Sequence, residues 1–392
     1  MAEKTRVLFA LEMVGTVNAL KRSLGILERE RNCELRFAAS DVALTALTGM
    51  GRECITLERD PREVVGEFQP NVVVVGVSAF ERDHKKWTGL ELNYGLAAMD
   101  AGIPVVAYRD DSGIAMWSQE LSAHPRSGEL LTLLMFDRMT AQVVEGRQAK
   151  LIAAVGSGYY DALPTWDWAA ARRESRAKIG IEDGDLVITF NVGADKERVL
   201  EALEPVVDGL LRMDAPVVFV AGFHPKDPDA PYVESPPKSG KYIARPSAPY
   251  DPVLERLEGS RVRVIREPVF RNAESDSQRR MAASDLIVMG PGSTDKSTAL
   301  YGGIPQVIVG TPLTAEKVRS TGIEVEQFDF VHDGTVDIRF DADGLASYIE
   351  DFPAHAAHIR EQARMGKEKY SAAPAAPRIA EAILTAAGVS SN

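Results

Sequence analysis

The chain has 392 residues, 45% apolar and 26% charged, with a formal net charge of −12. That length exceeds one ordinary domain and suits two, and the composition is that of a packed globular protein. The acidic balance, 57 carboxylates against 45 basic side chains, excludes a sequence-independent nucleic-acid binder, which needs a surface that neutralises phosphates.

The first residues run straight into a strand, without the charged-then-apolar order of a signal peptide. Residues 6–11 are a β-rich apolar run, and Glu12 to Thr16 form a turn. Leu20, Leu24 and Leu27 then fall at helical spacing within residues 17–31. The alternation continues with a strand at 35–39, a helix at 41–48, a short strand at 54–57 and a helix at 61–68 that opens on Pro61. Val72, Val73, Val74 and Val75 are a continuous β-branched run, the mark of a strand covered on both faces within a parallel sheet. Residues 78–87 are a polar loop that contains His84, read as solvated. A helix at 90–101 and a strand at 104–108 lead to Arg109, Asp110 and Asp111 at a carboxyl edge. Strands at 130–136 and 151–155 complete the series.

The texture changes between residues 156 and 180, where a turn-rich segment precedes a basic helix at 168–178. A second β/α series opens at 186–190 and turns at Asn191, Val192 and Gly193. A strand at 216–220 leads into His224, Pro225 and Lys226. Residues 225–252, rich in Pro, Lys, Ser and Tyr, read as a long loop. A strand at 262–265, a helix at 277–284 and a strand at 286–289 follow. Next come the turn Gly290 to Thr294, a helix ending at Gly302 and Gly303, and a strand at 306–309. Helices are expected at 345–350, 355–369 and 377–387.

The pattern predicts an α/β protein of two doubly wound Rossmann-like domains facing across a cleft, with C-terminal helices. The expected boundaries are 1–157, a connecting hinge at 158–180, 181–370, and a terminal helix at 371–392 that packs back on the N-terminal domain. The apolar runs are strand length, far short of a membrane span, so no integral membrane segment and a cytoplasmic location are expected. Cys33 and Cys54 have no metal-ligand spacing around them and read as reduced and structural. No zinc-type or covalent-hydrolase constellation stands out, and no metal site is expected.

The strand–turn–helix around Gly290 to Gly302 aims backbone N–H groups and a helix N-terminus at one place, which favours an anion, most often a phosphate. Gly290 with Lys296 and Ser297 nearly spells a P-loop, but Asp295 stands where glycine is needed, and that reading is set aside. Ser293 or Thr294 is the expected helix cap. Asn191 and Gly193 could present a further amide to phosphate, and His224 and Lys226 could aim an imidazole and an ammonium at a diphosphate. Glu12 suits a general base on an acceptor hydroxyl. Asp110 and Asp111 suit the acceptor rim or the base itself. Trp166 and Trp168 are expected to pack between the lobes, and Arg172, Arg173, Arg279 and Arg280 to be solvated helix faces.

Met281-Ala282-Ala283-Ser284-Asp285-Leu286-Ile287-Val288, then Gly292-Ser293-Thr294, Ala299 and Gly303-Ile304-Pro305, resemble the donor-site signature of the GT-B superfamily of nucleotide-sugar glycosyltransferases. The stretch from Gly156 to Leu163 resembles that superfamily's hinge. His224-Pro225-Lys226 is similar to a turn in bacterial members such as Kdo transferases, some of which carry their catalytic carboxylate near the position of Glu12. The resemblance implies a nucleotide-sugar donor held by Gly292, Ser293, Thr294, His224 and Lys226 with no cofactor required. It implies a small-molecule or glycan acceptor near Glu12 and Gly15, and it leaves a homodimer open. Many members place a Glu where this chain has Thr298, a hydroxyl without the charge or reach of a carboxylate. A sugar-nucleotide epimerase or hydrolase on the same fold, and a non-catalytic binding protein, are the alternative readings.

Overall fold

A computed structural model describes residues 4–29, 31–55, 58–76, 89–110, 118–182, 184–193, 195–223, 229, 232–234, 242–244, 249–266, 276–291, 295–319, 324–371 and 373–389. The chain divides into two compact units, residues 1–162 with 373–392, and residues 163–372.

The first unit is built on strands β1 (Arg6–Leu11), β2 (Glu34–Ala39), β3 (Cys54–Ile55), β4 (Val72–Gly76), β5 (Val105–Tyr108), β6 (Leu131–Met135) and β7 (Leu151–Ala154). They form one sheet in the order β3-β2-β1-β4-β5-β6-β7, all parallel. Every residue of β4 is buried, as its unbroken valine run requires of a strand covered on both faces. The connecting helices are α1 (Val14–Arg29), α2 (Asp41–Gly49), α3 (Pro61–Phe68), α4 (Leu90–Asp100), α5 (Ser118–Ser122), α6 (Ser127–Leu130) and α7 (Arg138–Val143). Helix α3 starts where its sequence says: Asp60 caps it by accepting the Arg62 N–H at 2.8 Å, and Pro61 takes the first position.

The second unit opens with α8 (Trp168–Lys178), followed by β8 (Leu186–Asn191), α9 (Lys196–Arg212), β9 (Val217–Ala221), and β10 (Tyr232–Glu234) paired antiparallel with β11 (Tyr242–Ala244). This hairpin lies inside the segment expected to be loop, because cross-strand pairing satisfies a backbone that local composition leaves unassigned. Next come α10 (Asp251–Glu255), β12 (Val262–Arg266), α11 (Asp276–Ala283), β13 (Leu286–Met289), α12 (Asp295–Gly302), β14 (Gln306–Val309), α13 (Pro312–Arg319), α14 (Asp329–His332) and β15 (Asp337–Arg339). The main sheet runs β12-β9-β8-β13-β14-β15, again parallel. The two helices expected at 345–350 and 355–369 are one helix, α15 (Ala342–Ser371), which runs through Pro353. Its buried face, including Leu345, Ile349, Phe352 and Ile359, packs on the core it shares with α9, and that burial outweighs the cost of an interior proline.

The last helix, α16 (Ala375–Ala386), belongs to the first unit, where Ile379, Ile383 and Leu384 join the core that contains Leu20 and Leu24 of α1. Asp161 fastens it, accepting the Ala375 and Ala376 N–H groups at 2.8 Å each. The turn around Gly158 is packed inside this same unit: a Cβ there would lie 2.6 Å from the Ala19 carbonyl oxygen.

Several polar and aromatic side chains of the second unit are structural, among them Arg172 and Arg280, which were expected on solvated faces. Arg176 is 1% exposed and donates to Asp285 at 2.7 Å, to the Ala283 carbonyl at 3.1 Å and to the Glu182 and Asp185 carbonyls. Arg172 also donates to Asp285, at 2.7 Å. Arg280 is buried and pairs with Asp295 at 2.9 Å. Trp168 lies against Gly302 of α12 within the second unit, and its indole N–H donates to the Leu163 carbonyl at 2.8 Å. A helix wheel shows which face a residue occupies; which wheel face meets a neighbouring carboxylate is set by the tertiary packing.

Candidate functional site

In an open parallel sheet, ligands gather past the carboxyl ends of the strands, at the point where the strand order reverses. In the first unit that point lies between β1 and β4, and in the second between β8 and β13.

At the first switch point, Glu12 directly follows β1 and is only 7% exposed. Its backbone N–H donates to Oε1 of Glu91 at 2.9 Å, its own Oε1 accepts from the Ser40 hydroxyl at 3.4 Å, and its Oε2 lies 3.5 Å from the Glu91 N–H. Glu91 stands in the first turn of α4 and is 1% exposed. Two glycines make room for the carboxylates here. A Cβ on Gly76, at the end of β4, would run into Oε1 of Glu91, and a Cβ on Gly15 would lie 2.5 Å from Oδ2 of Asp110. Glu12, Gly15 and Asp110 therefore come together, and Glu91 joins them from a helix start that carries no motif. The sequence signal for Glu91 is an acidic residue at a helix N-terminus, too common to single out. Asp111 and His84 lie outside the described residues.

At the second switch point, Asn191 ends β8, and its amide donates to Oδ2 of Asp295 at 2.5 Å. Asp295 is the first residue of α12, and the same oxygen accepts from Arg280. The carboxylate that spoils a P-loop reading is thus already paired with a guanidinium. Lys296 is buried, with its ammonium 5.5 Å from the centre of the Phe328 ring. The Gln306 side chain donates to the Lys296 carbonyl at 3.0 Å. Gly193 adopts φ +141°, a conformation that favours glycine, just past β8. Thr298 is buried on α12. Gly292, Ser293 and Thr294, with His224 and Lys226, lie outside the described residues, as does the expected cap of α12. Arg280 and Asp295 were missed as partners because their link spans two elements, α11 and α12.

Among the described residues no group of three or more His, Cys, Asp or Glu is arranged to hold a metal ion, and no helix is long and apolar enough to cross a membrane.

Solved structures share this architecture over nearly the whole chain. A glycosyltransferase from Rickettsia africae superposes with a TM-score of 0.62 at 10% identity, covering 98% of this chain and 99% of its own. HepE from Anabaena in complex with UDP gives a TM-score of 0.62 at 14% identity, covering 97% of this chain and 100% of its own. UDP-GlcNAc 2-epimerase from Neisseria meningitidis bound to UDP-GlcNAc gives 0.53 at 14% identity, covering 97% and 100%. The chain adopts the GT-B fold. No protein-family model matches the chain, and a search of curated proteins finds no match either. The likeness is therefore one of backbone architecture, and both GT-B switch points of this chain are furnished by its own residues: carboxylates at the first, a carboxylate paired with a guanidinium at the second.

Proposed function

We propose that the protein is a GT-B glycosyltransferase that moves a sugar from a nucleotide-activated donor to an acceptor hydroxyl, in an inverting reaction. The second unit holds the donor, through the turn at Gly292, Ser293 and Thr294 and through His224 and Lys226. Asn191, Gly193 and Thr298 are assigned to the donor as well. The first unit receives a small-molecule or glycan acceptor near Gly15 and Asp110. Glu12 takes the proton from the acceptor hydroxyl, whose oxygen forms the new bond to the anomeric carbon. The bond from that carbon to the diphosphate breaks, and the nucleoside diphosphate leaves with the electron pair. Backbone N–H groups and the two basic side chains stabilise the departing charge, so the reading requires no metal or other cofactor.

The observation that carries this reading is the buried carboxylate of Glu12 directly after β1, at the switch point of a GT-B first unit. A general base contributes on the order of 10²–10⁴-fold. Glu12→Gln is therefore expected to lower sugar transfer by that factor while leaving nucleotide affinity unchanged, measured by product formation and by nucleotide titration. His224→Ala and Ser293→Ala are expected to weaken donor binding. Donor affinity unmoved in both would sink the donor assignment.

The second reading is a sugar-nucleotide 2-epimerase. It is favoured by the pairing of two buried carboxylates, Glu12 and Glu91, which suits acid and base chemistry on one sugar. Incubation with UDP-GlcNAc and no acceptor separates the two: an epimerase yields the C2-inverted nucleotide sugar, whereas a transferase yields only UDP and free GlcNAc from slow transfer to water.

A further inference from the structure

Glu91 is among the least exposed charged residues of the first unit, at 1%. Burying a carboxylate is costly unless its partners compensate, so its place calls for a reason. Its Oε1 accepts the backbone N–H of Glu12 at 2.9 Å, and its own backbone N–H faces Oε2 of Glu12 at 3.5 Å. The two residues thus hold each other by reciprocal carboxylate-to-amide contacts. They come from the loop after β1 and the helix that follows β4, the adjacent strands of the switch point. The last residue of β4, Gly76, has no side chain, and the Glu91 carboxylate fills that space against the methyl group of Thr16. Ser40 restrains the other oxygen of Glu12 from the end of β2.

A base on a loop acts only if its oxygen is held close to the productive geometry, and a displacement of about 1 Å can cost on the order of 10²-fold in rate. We infer that Glu91 is a positioning residue, which clamps the backbone at Glu12 and so aims the Glu12 carboxylate. This rests on the reading of Glu12 as the base. Glu91 touches no substrate in this scheme; its role is to accept one N–H, which a glutamine carbonyl oxygen can also do.

The test uses the full chain and three variants, Glu91→Ala, Glu91→Gln and Glu12→Gln. Turnover is read as UDP released from UDP-GlcNAc, affinity by titration with UDP, and the clamp by hydrogen exchange of the Glu12 amide, which needs no substrate. In Glu91→Ala the Glu12 amide is expected to lose its protection, and kcat to fall on the order of 10–100-fold, the usual cost of losing a supporting partner, with UDP affinity unchanged. Glu91→Gln is expected to recover both protection and most of the turnover, a rescue that a purely structural need for a charged group would not give. Equal amide exchange in the parent and Glu91→Ala would overturn the clamp outright. Turnover lost in Glu12→Gln but kept in Glu91→Ala would overturn the positioning role alone. Parent-like turnover in Glu12→Gln would remove the base assignment, and this inference with it.

Discussion

Glu12 was expected from its place after a strand, and its burial was not. A charged residue in a strand-to-helix loop is ordinarily solvated, yet here it is buried and held by Glu91 and Ser40. The enclosure depends on glycines at the right places, which gives a test at single-residue resolution. In Gly76→Ala the new methyl group would meet the Glu91 carboxylate and Thr16. Overpacking of this kind costs typically about 1–3 kcal/mol, so a drop in unfolding free energy of that size is expected in urea titration. Displacement of Glu91 should also slow turnover in that variant. Gly15, assigned to the binding site from sequence, has a packing role as well, since it leaves space for Asp110. The residues at this edge were readable by type and position; Glu91 was not, because 79 positions separate it from Glu12 and only the strand order brings them together.

Among elements, the basic helix α8 shows the limit of reading charge from a linear pattern. Arg172 was expected in water, and instead it converges with Arg176 on Asp285, which also accepts the Val187 N–H at 2.9 Å. Removing one partner of a buried ion pair strands the other charge and costs about 3–5 kcal/mol. Asp285→Ala is accordingly expected to lower the stability of the second unit by that amount, followed by chemical denaturation. A second tie holds the end of α15. Asp333 accepts from Lys369 at 2.5 Å, from Tyr370 at 2.6 Å and from Thr335 at 2.7 Å. Burial pushes its carboxyl pKa up, but the hydrogen bonds from Lys369, Tyr370 and Thr335 outweigh it and hold the group below its usual value of 3.8. The folded state therefore binds this proton less readily than the unfolded chain, and the tie stabilises fully above that value. Its contribution is lost as pH falls below 3.8 through the lowered value. Thermal melts across that range should show a loss of stability that Asp333→Asn largely lacks.

For the molecule as a whole, two parallel sheets with adjacent βα units explain why the architecture was legible. Most strands of the two main sheets show as short apolar runs and the longer helices by their spacing, whereas the β10–β11 hairpin and the edge strand β15 carry no such signal. The final helix is the exception to sequential order: α16 follows the second unit in the chain and is built into the first. Ile383 of α16 is fully buried there. Ile383→Ala is expected to cost about 2–5 kcal/mol and to do so in the first unit alone, so that protease cleavage under partial denaturation begins there while the second unit stays intact.

The sequence by itself determined the α/β class, the two main sheets and nearly all of their strands. Local pattern suffices for these because side-chain periodicity and turn chemistry act over a few residues. Only the tertiary structure decided which charges are buried together: Glu12 with Glu91, Asp295 with Arg280 and Asn191, and Asp285 with Arg172 and Arg176. It likewise decided that α15 runs unbroken through Pro353. Such pairings depend on strand order and helix docking. These are set by burying apolar faces across the whole unit, and no short stretch of the chain contains them.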